Sequence, residues 1–107
     1  MNILDLNEQS FREQIAGEQP VLVEFSAPWC VYCRRIAPVL DRVAQEYADR
    51  LQVGHINIDN DPDLARQEQI EVVPTLIVYR AGKVLGSIVA PESRVQIDEL
   101  IRDALAG

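Results

Sequence analysis

Histidine and lysine each occur once in this sequence, as His55 and Lys83, and cysteine only twice, as Cys30 and Cys33. Two cysteines supply half of the four ligands a structural zinc takes, and one histidine does not complete the set, so no metal site is expected. Basic residues number 10 against 17 acidic ones, a formal charge of −7, and they form no stripe. Such a field repels a phosphate backbone and argues against nucleic acid as a partner. The longest apolar stretches, such as Leu76–Tyr79, fall far short of the ~20 residues that cross a bilayer. The first residues hold Asp5, Glu8, Glu13 and Glu18 where an export signal would have a basic segment and an apolar core, so a cytoplasmic protein without a signal is expected. No internal repeat, low-complexity tract or linker divides the chain.

What remains is the composition of an ordinary folded protein: 107 residues, 48% apolar and 25% charged. That suits one domain, residues 1–107, with one core. Asn7 reads as an N-cap and Gly17 as the residue past a C-cap, bracketing a helix that buries Phe11 and Ile15. Pro20 breaks the chain before Val21-Leu22-Val23-Glu24-Phe25, a β-branched and aromatic run that predicts a buried strand, with Glu24 as its anomaly. From Cys30 to Tyr47, apolar residues recur at Ile36, Val39, Leu40, Val43, Ala44 and Tyr47, one face of a helix of period 3.6. Pro38 inside that pattern predicts a lost hydrogen bond and a kink. Leu51–Asp59 reads as a second buried strand. Asp61 reads as a cap and Pro62 as the first position of a short helix reaching Gln69. Thr75–Arg80 and Lys83–Val89, separated by Ala81-Gly82, predict an antiparallel hairpin, and a last helix buries Ile97, Leu100, Ile101, Ala104 and Leu105. Alternating strands and helices favour parallel pairing, to which the hairpin adds antiparallel strands: an α/β fold with a mixed sheet between helices.

The segment Trp29-Cys30-Val31-Tyr32-Cys33 follows a predicted strand and opens the periodic helix. A cysteine there faces unpaired N–H groups and the positive end of the helix dipole, which favour thiolate over thiol. In Cys-X-X-Cys pairs the thiol pKa falls below its free value of about 8.5, and two intervening residues let the sulfurs meet within one helical turn. Alone, such a pair reads equally as a redox dithiol or as two packed small apolar side chains, and far less well as half of a metal site, for which the other ligands are missing. Its place between strand and helix raises redox chemistry above both.

Nearly the whole length resembles the thioredoxin family, on Phe25, Ala27, Trp29-Cys30-x-x-Cys33, Pro38, Asp59, Val73-Pro74-Thr75 and Gly82. The resemblance implies the thioredoxin fold and a thiol–disulfide oxidoreductase acting on protein disulfides, with Cys30 attacking and Cys33 resolving. It further implies a monomer without a cofactor and an electron donor of the thioredoxin-reductase type. By residue, it implies a cis Pro74 beside the cysteines and a Val73 backbone that pairs with an extended substrate segment. Glu24 becomes a buried carboxylate that takes a proton from Cys33 through water, and Trp29, Val31, Tyr32 and Ala90 complete the substrate surface. Without the resemblance, Pro74 reads as a trans proline opening a strand; for Glu24 the alternative is an edge-strand residue with its head in water, which its apolar neighbours disfavour. The block Val23–Cys30 is also similar to the active domains of protein disulfide isomerase, which likewise carry glutamate. An oxidase or isomerase therefore stays open beside a reductase, as does a partner-binding module with little turnover.

The sequence departs from the family pattern at four places. Val31-Tyr32 replaces the usual Gly-Pro. Tyr32 keeps an N–H that proline lacks, and donated to the Cys30 sulfur it would stabilise the thiolate. That predicts a reduction potential less negative than the ~−270 mV of thioredoxin. His55 stands where many members have a lysine near the buried carboxylate, and reads either as its pH-dependent partner or as an ordinary strand histidine. Ala90 replaces a common glycine and Ser26 a common tryptophan. Arg34 and Arg35 read as solvated charges at the helix start.

Overall fold

A computed structural model describes residues 2–106. The elements run β1 (Ile3–Asp5), α1 (Glu8–Ile15), β2 (Val21–Ser26), α2 (Val31–Glu46), β3 (Gln52–Asn57), α3 (Pro62–Gln67), β4 (Thr75–Arg80), β5 (Lys83–Val89) and α4 (Arg94–Ala106). One five-stranded sheet has the order β1-β3-β2-β4-β5. β3 pairs parallel with both β1 and β2, whereas β4 pairs antiparallel with β2 and β5. The predicted mixed sheet is thus present, with β1 added as a short edge strand that three residues were too few to announce.

Local chemistry accounts for the boundaries. Asn7 caps α1 with a reciprocal pair, its Oδ1 accepting from Ser10 N and Ser10 Oγ accepting from Asn7 N, both at 2.9 Å. Gly17 follows the C-cap Ala16, and the end of α1 is closed by the β4–β5 turn: Ala81 N donates to Gly17 O at 2.8 Å and Gly82 N to Ile15 O at 2.7 Å. Ala81 and Gly82 have φ of 52° and 77°, the paired left-handed conformation of a two-residue hairpin turn. α2 continues through Pro38 as one helix. Pro62 opens α3, but Asp61 makes no side-chain bond to it. Its Oδ1 instead accepts from Glu8 N at 3.3 Å, at the start of α1. The predicted cap therefore serves a different helix, because tertiary packing brings a second set of unpaired N–H groups within its reach. α3 ends at Gln67, before Gln69 takes a φ of 60°.

The sheet buries both faces, so β2 is apolar almost throughout and wholly buried. Successive residues face opposite sides. Val21, Val23 and Phe25 meet Phe11, Leu64 and Tyr79 on the α1/α3 side, where Phe11 lies edge-on to both Phe25 and Tyr79. Leu22 faces the other layer with Leu40 and Val43 of α2 and Ile97 and Ile101 of α4. Leu100 and Leu105 are only half-buried at the margin of that layer. By the same alternation Glu24 and Ser26 point, with Leu22, toward α2.

Candidate active site

The redox segment lies where β2 ends and α2 begins. Cys30 is the N-cap of α2, in extended conformation, and its Sγ accepts the Cys33 N–H at 3.1 Å. Cys30 and Cys33 form a disulfide with their Cα atoms 5.3 Å apart. The donor expected from Tyr32 is corrected here: an N-cap side chain reaches the third helical residue, which is Cys33. The potential expected from a Tyr32 N–H therefore loses its stated cause. Tyr32 is instead held by its hydroxyl, which donates to Pro91 O at 2.5 Å. Both cysteines are buried, at 8% and 6% exposure, so burial does not distinguish them.

Around the disulfide the surface is apolar. Trp29 and Val31 are exposed, as are Val72 and Val89, which sequence reasoning did not single out. Trp29 Nε1 donates to Asp59 Oδ1 at 3.3 Å. The Val73–Pro74 peptide bond is cis, with Val73 O 3.9 Å from Cys30 Sγ. Ala90 N donates to Pro74 O at 2.8 Å, and Ala90 has a φ of 46°. That left-handed conformation is the physical reason a glycine suits this position. Cys30, Tyr32, Val73, Pro74 and Ala90 are thus linked by direct contacts, with Trp29 and Val31 beside them.

Beneath the disulfide lies a cavity of about 430 Å³ whose walls include Glu24, Ser26, Cys33, Arg34 and His55. Glu24 is 5% exposed, and its Oε2 has no hydrogen-bond partner among the described residues. Desolvation pushes its carboxyl up from 4.5 to about 7. Glu24 is thus a buried group in the wall that holds Cys33, and not an edge-strand residue in water. His55 stands opposite Glu24 in the β2–β3 register, but its ring nitrogens meet Ser26 Oγ, at 2.5 Å, and Asp5 Oδ1, at 3.4 Å. Sequence reasoning noted Ser26 and His55 separately and missed Asp5; only the lateral order of strands joins them. Arg34 Nη1 donates to Pro28 O at 2.7 Å, so it braces the loop before the redox helix. Among the described residues no group of three or more His, Cys, Asp or Glu side chains is placed to hold a metal, and no helix is long and apolar enough to cross a membrane.

This arrangement provides a redox-active cysteine pair, with a backbone donor at one sulfur and a buried carboxyl in the cavity that the other lines. Comparison with known proteins agrees. The family model described as Thioredoxin matches residues 2–103. A thioredoxin of Acidithiobacillus ferridurans is 39% identical over 104 residues, covering 96% of each chain. One from Alicyclobacillus acidocaldarius is 34% identical over 102 residues, covering 95% of this chain and 97% of its own, and one from Griffithsia pacifica is 39% identical over 90 residues, or 83% of each. The cysteine pair stands at the start of α2 in a chain matched almost end to end, and the protein belongs to the thioredoxin family as a thiol–disulfide oxidoreductase working through Cys30 and Cys33.

Proposed function

We propose that this oxidoreductase is a reductant of protein disulfides in which Cys30 attacks, Cys33 resolves and Glu24 accepts the Cys33 proton. The observation that carries the assignment is the asymmetry of the two sulfurs. Cys30 Sγ receives a backbone N–H at the helix N-terminus, where a thiolate is favoured. Cys33 lines the cavity shared with Glu24. In the first step the Cys30 thiolate bonds to one sulfur of the substrate disulfide while the other leaves as thiolate. In the second, the Cys33 thiolate bonds to Cys30 and releases the remaining substrate sulfur. Two electrons pass from the dithiol to the substrate.

The exposed Trp29 and Val31, with half-buried Val73 and Ala90 over the buried Pro74, suit an extended apolar segment of a substrate protein, to which the Val73 backbone offers an edge; Tyr32 borders it through its bond to Pro91. Membership of the thioredoxin family supports an electron donor of the thioredoxin-reductase type, and a cytoplasmic site of action and a monomer belong to the same proposal. Because the Cys30 cap comes from Cys33, a residue any Cys-X-X-Cys pair retains, Val31-Tyr32 supplies no donor that would turn the protein into an oxidase.

Trapping tests the roles. Cys33→Ser accumulates mixed disulfides with substrate proteins, and Cys30→Ser does not. Equal yields from the two variants would reverse or void the assignment. Iodoacetamide at neutral pH labels Cys30 of the reduced protein ahead of Cys33, and equal rates would contradict the thiolate argument.

A further inference from the structure

The cavity beneath the disulfide has a polar wall that the thiol chemistry above does not use. His55 stands on β3 between β1 and β2 and engages a neighbour on each side, with Nδ1 3.4 Å from Asp5 Oδ1 and Nε2 2.5 Å from Ser26 Oγ. Both Asp5 and Glu24 pair with His55 across the parallel ladders, so the three strands present these side chains on one face. Exposure falls along the chain, from 94% for the Asp5 side chain to 32% for that of His55, and to 4% for Ser26. At the buried end the same cavity holds Glu24 and Cys33, with Glu24 Oε2 unpartnered among the described residues. The other charged group facing the cavity is Arg34 of α2, which is held by Pro28 O.

We propose that Ser26, His55 and Asp5 form a proton relay between Glu24 and solvent, with His55 a positioning residue that acts through Glu24. The proposal rests on the assignment of Glu24 as acceptor of the Cys33 proton. During resolution Cys33 gives its proton to the Glu24 carboxylate, the Cys33–Cys30 bond forms, and the bond from Cys30 to the substrate sulfur breaks. Glu24, whose carboxyl is raised to about 7, has to lose its own proton before it can accept that of Cys33, and at 5% exposure its route to bulk water runs through this cavity. The Asp5 carboxylate favours the tautomer with a proton on Nδ1 and leaves Nε2 as an acceptor toward the Ser26 hydroxyl. A water in the cavity carries the Glu24 proton to Ser26 Oγ as the serine passes its own to Nε2. The imidazolium, facing Asp5, then releases the Nδ1 proton to solvent. Glu24 returns to carboxylate, serine and histidine are neutral again, and one proton has crossed; the ring, now protonated on Nε2, turns over to present its free nitrogen to Ser26 before the next transfer. A lysine at position 55 would present a charge without a second nitrogen to hand the proton on.

The test uses the full-length reduced protein, substrate disulfide in excess, and rapid-mixing rates for mixed-disulfide formation and for resolution. His55→Gln is expected to leave formation unchanged and to slow resolution about 3- to 10-fold between about pH 6 and 7.5, where Glu24 still carries a proton to lose, with the effect fading at higher pH. Ser26→Ala and the surface change Asp5→Asn slow it in the same direction, which guards against a folding defect in one variant. The decisive readout is the double variant Glu24→Gln/His55→Gln, which is no slower than Glu24→Gln alone when the two act in series. If His55→Gln resolves at the native rate while Glu24→Gln is slow, or if the double variant shows the product of both effects, the relay is overturned and the Glu24 assignment stands. If Glu24→Gln itself resolves at the native rate, the Glu24 assignment falls and the relay falls with it.

Discussion

The two ends of α2 carry polar clusters of opposite character. Past its C-terminal end, the Tyr47 hydroxyl donates to Asp98 at 2.9 Å, and Arg94 reaches Asp98 and Glu46 at 2.9 and 2.8 Å. The Arg50 guanidinium lies 4.5 Å from the Tyr47 ring centre. The hydrogen bonds that Arg94 donates to Glu46 and Asp98 hold its guanidinium pKa above the usual range. At the N-terminal end, Glu24 is buried with an unpartnered oxygen and has its ionisation suppressed. A polar group whose partners are all present ties elements together; one left unpartnered in the core weakens the fold and is retained for its reactivity.

Glu24→Gln breaks this contrast most sharply. It should slow resolution about 10- to 100-fold. It should also stabilise the fold at pH 8. The folded pKa is raised from 4.5 to about 7, so this group's contribution is fully present below about 4.5 and is lost as pH climbs to about 7. The variant avoids that loss, worth at most roughly 3 kcal/mol. Denaturant unfolding at several pH values checks it: the gain should vanish near pH 4, and a pH-independent gain would contradict the desolvation argument.

Arg94→Met is the converse, expected to cost about 1 kcal/mol, to lose part of that effect in high salt and to leave turnover unchanged. Slower turnover would show that the two ends of α2 are coupled. Tyr32→Phe sharpens the distinction inside the redox segment itself. It removes the bond to Pro91 at a cost of about 1 kcal/mol and should leave the reduction potential unchanged in a glutathione titration, since the Cys30 cap is the Cys33 N–H. The smallest effect belongs to Ala90→Gly. Relief of the left-handed alanine, about 1 kcal/mol, is offset in part by the greater chain entropy of glycine, for a net gain of about 0.5 kcal/mol in thermal unfolding.

The elements legible in the sequence were those whose signal is local. The apolar period of α2, the β-branched run of β2, the Asn7 cap and the Ala81-Gly82 turn each depend on residues a few positions apart. Resemblance supplied the cysteine roles and the role of Glu24, whose burial its apolar neighbours already favoured. What stayed illegible depends on lateral contacts. β1 is three residues long and stands as a strand only because β3 lies beside it. Asp61 had the right chemistry for a cap, and sequence spacing pointed it to the wrong helix. The Tyr32 side chain docks on Pro91, far along the chain, and no pattern around the cysteines indicates that contact. Asp5, Ser26 and His55 meet because β3 is inserted between β1 and β2, an order no single segment encodes.

That insertion also constrains the order in which the molecule is assembled. Ile3 pairs with Val53 and Asp5 with His55, so β1 has no partner during synthesis until β3, 50 positions further along the chain, has followed it. The β4–β5 hairpin needs only its own neighbouring residues, and contacts that close short loops form sooner than those that close long ones. β2 pairs with β3 on one side and β4 on the other, so the strand that carries Glu24 becomes an interior strand only after Thr75–Arg80 has been made. A nascent chain released short of that point carries both cysteines and Glu24 without the sheet that sets their chemistry apart.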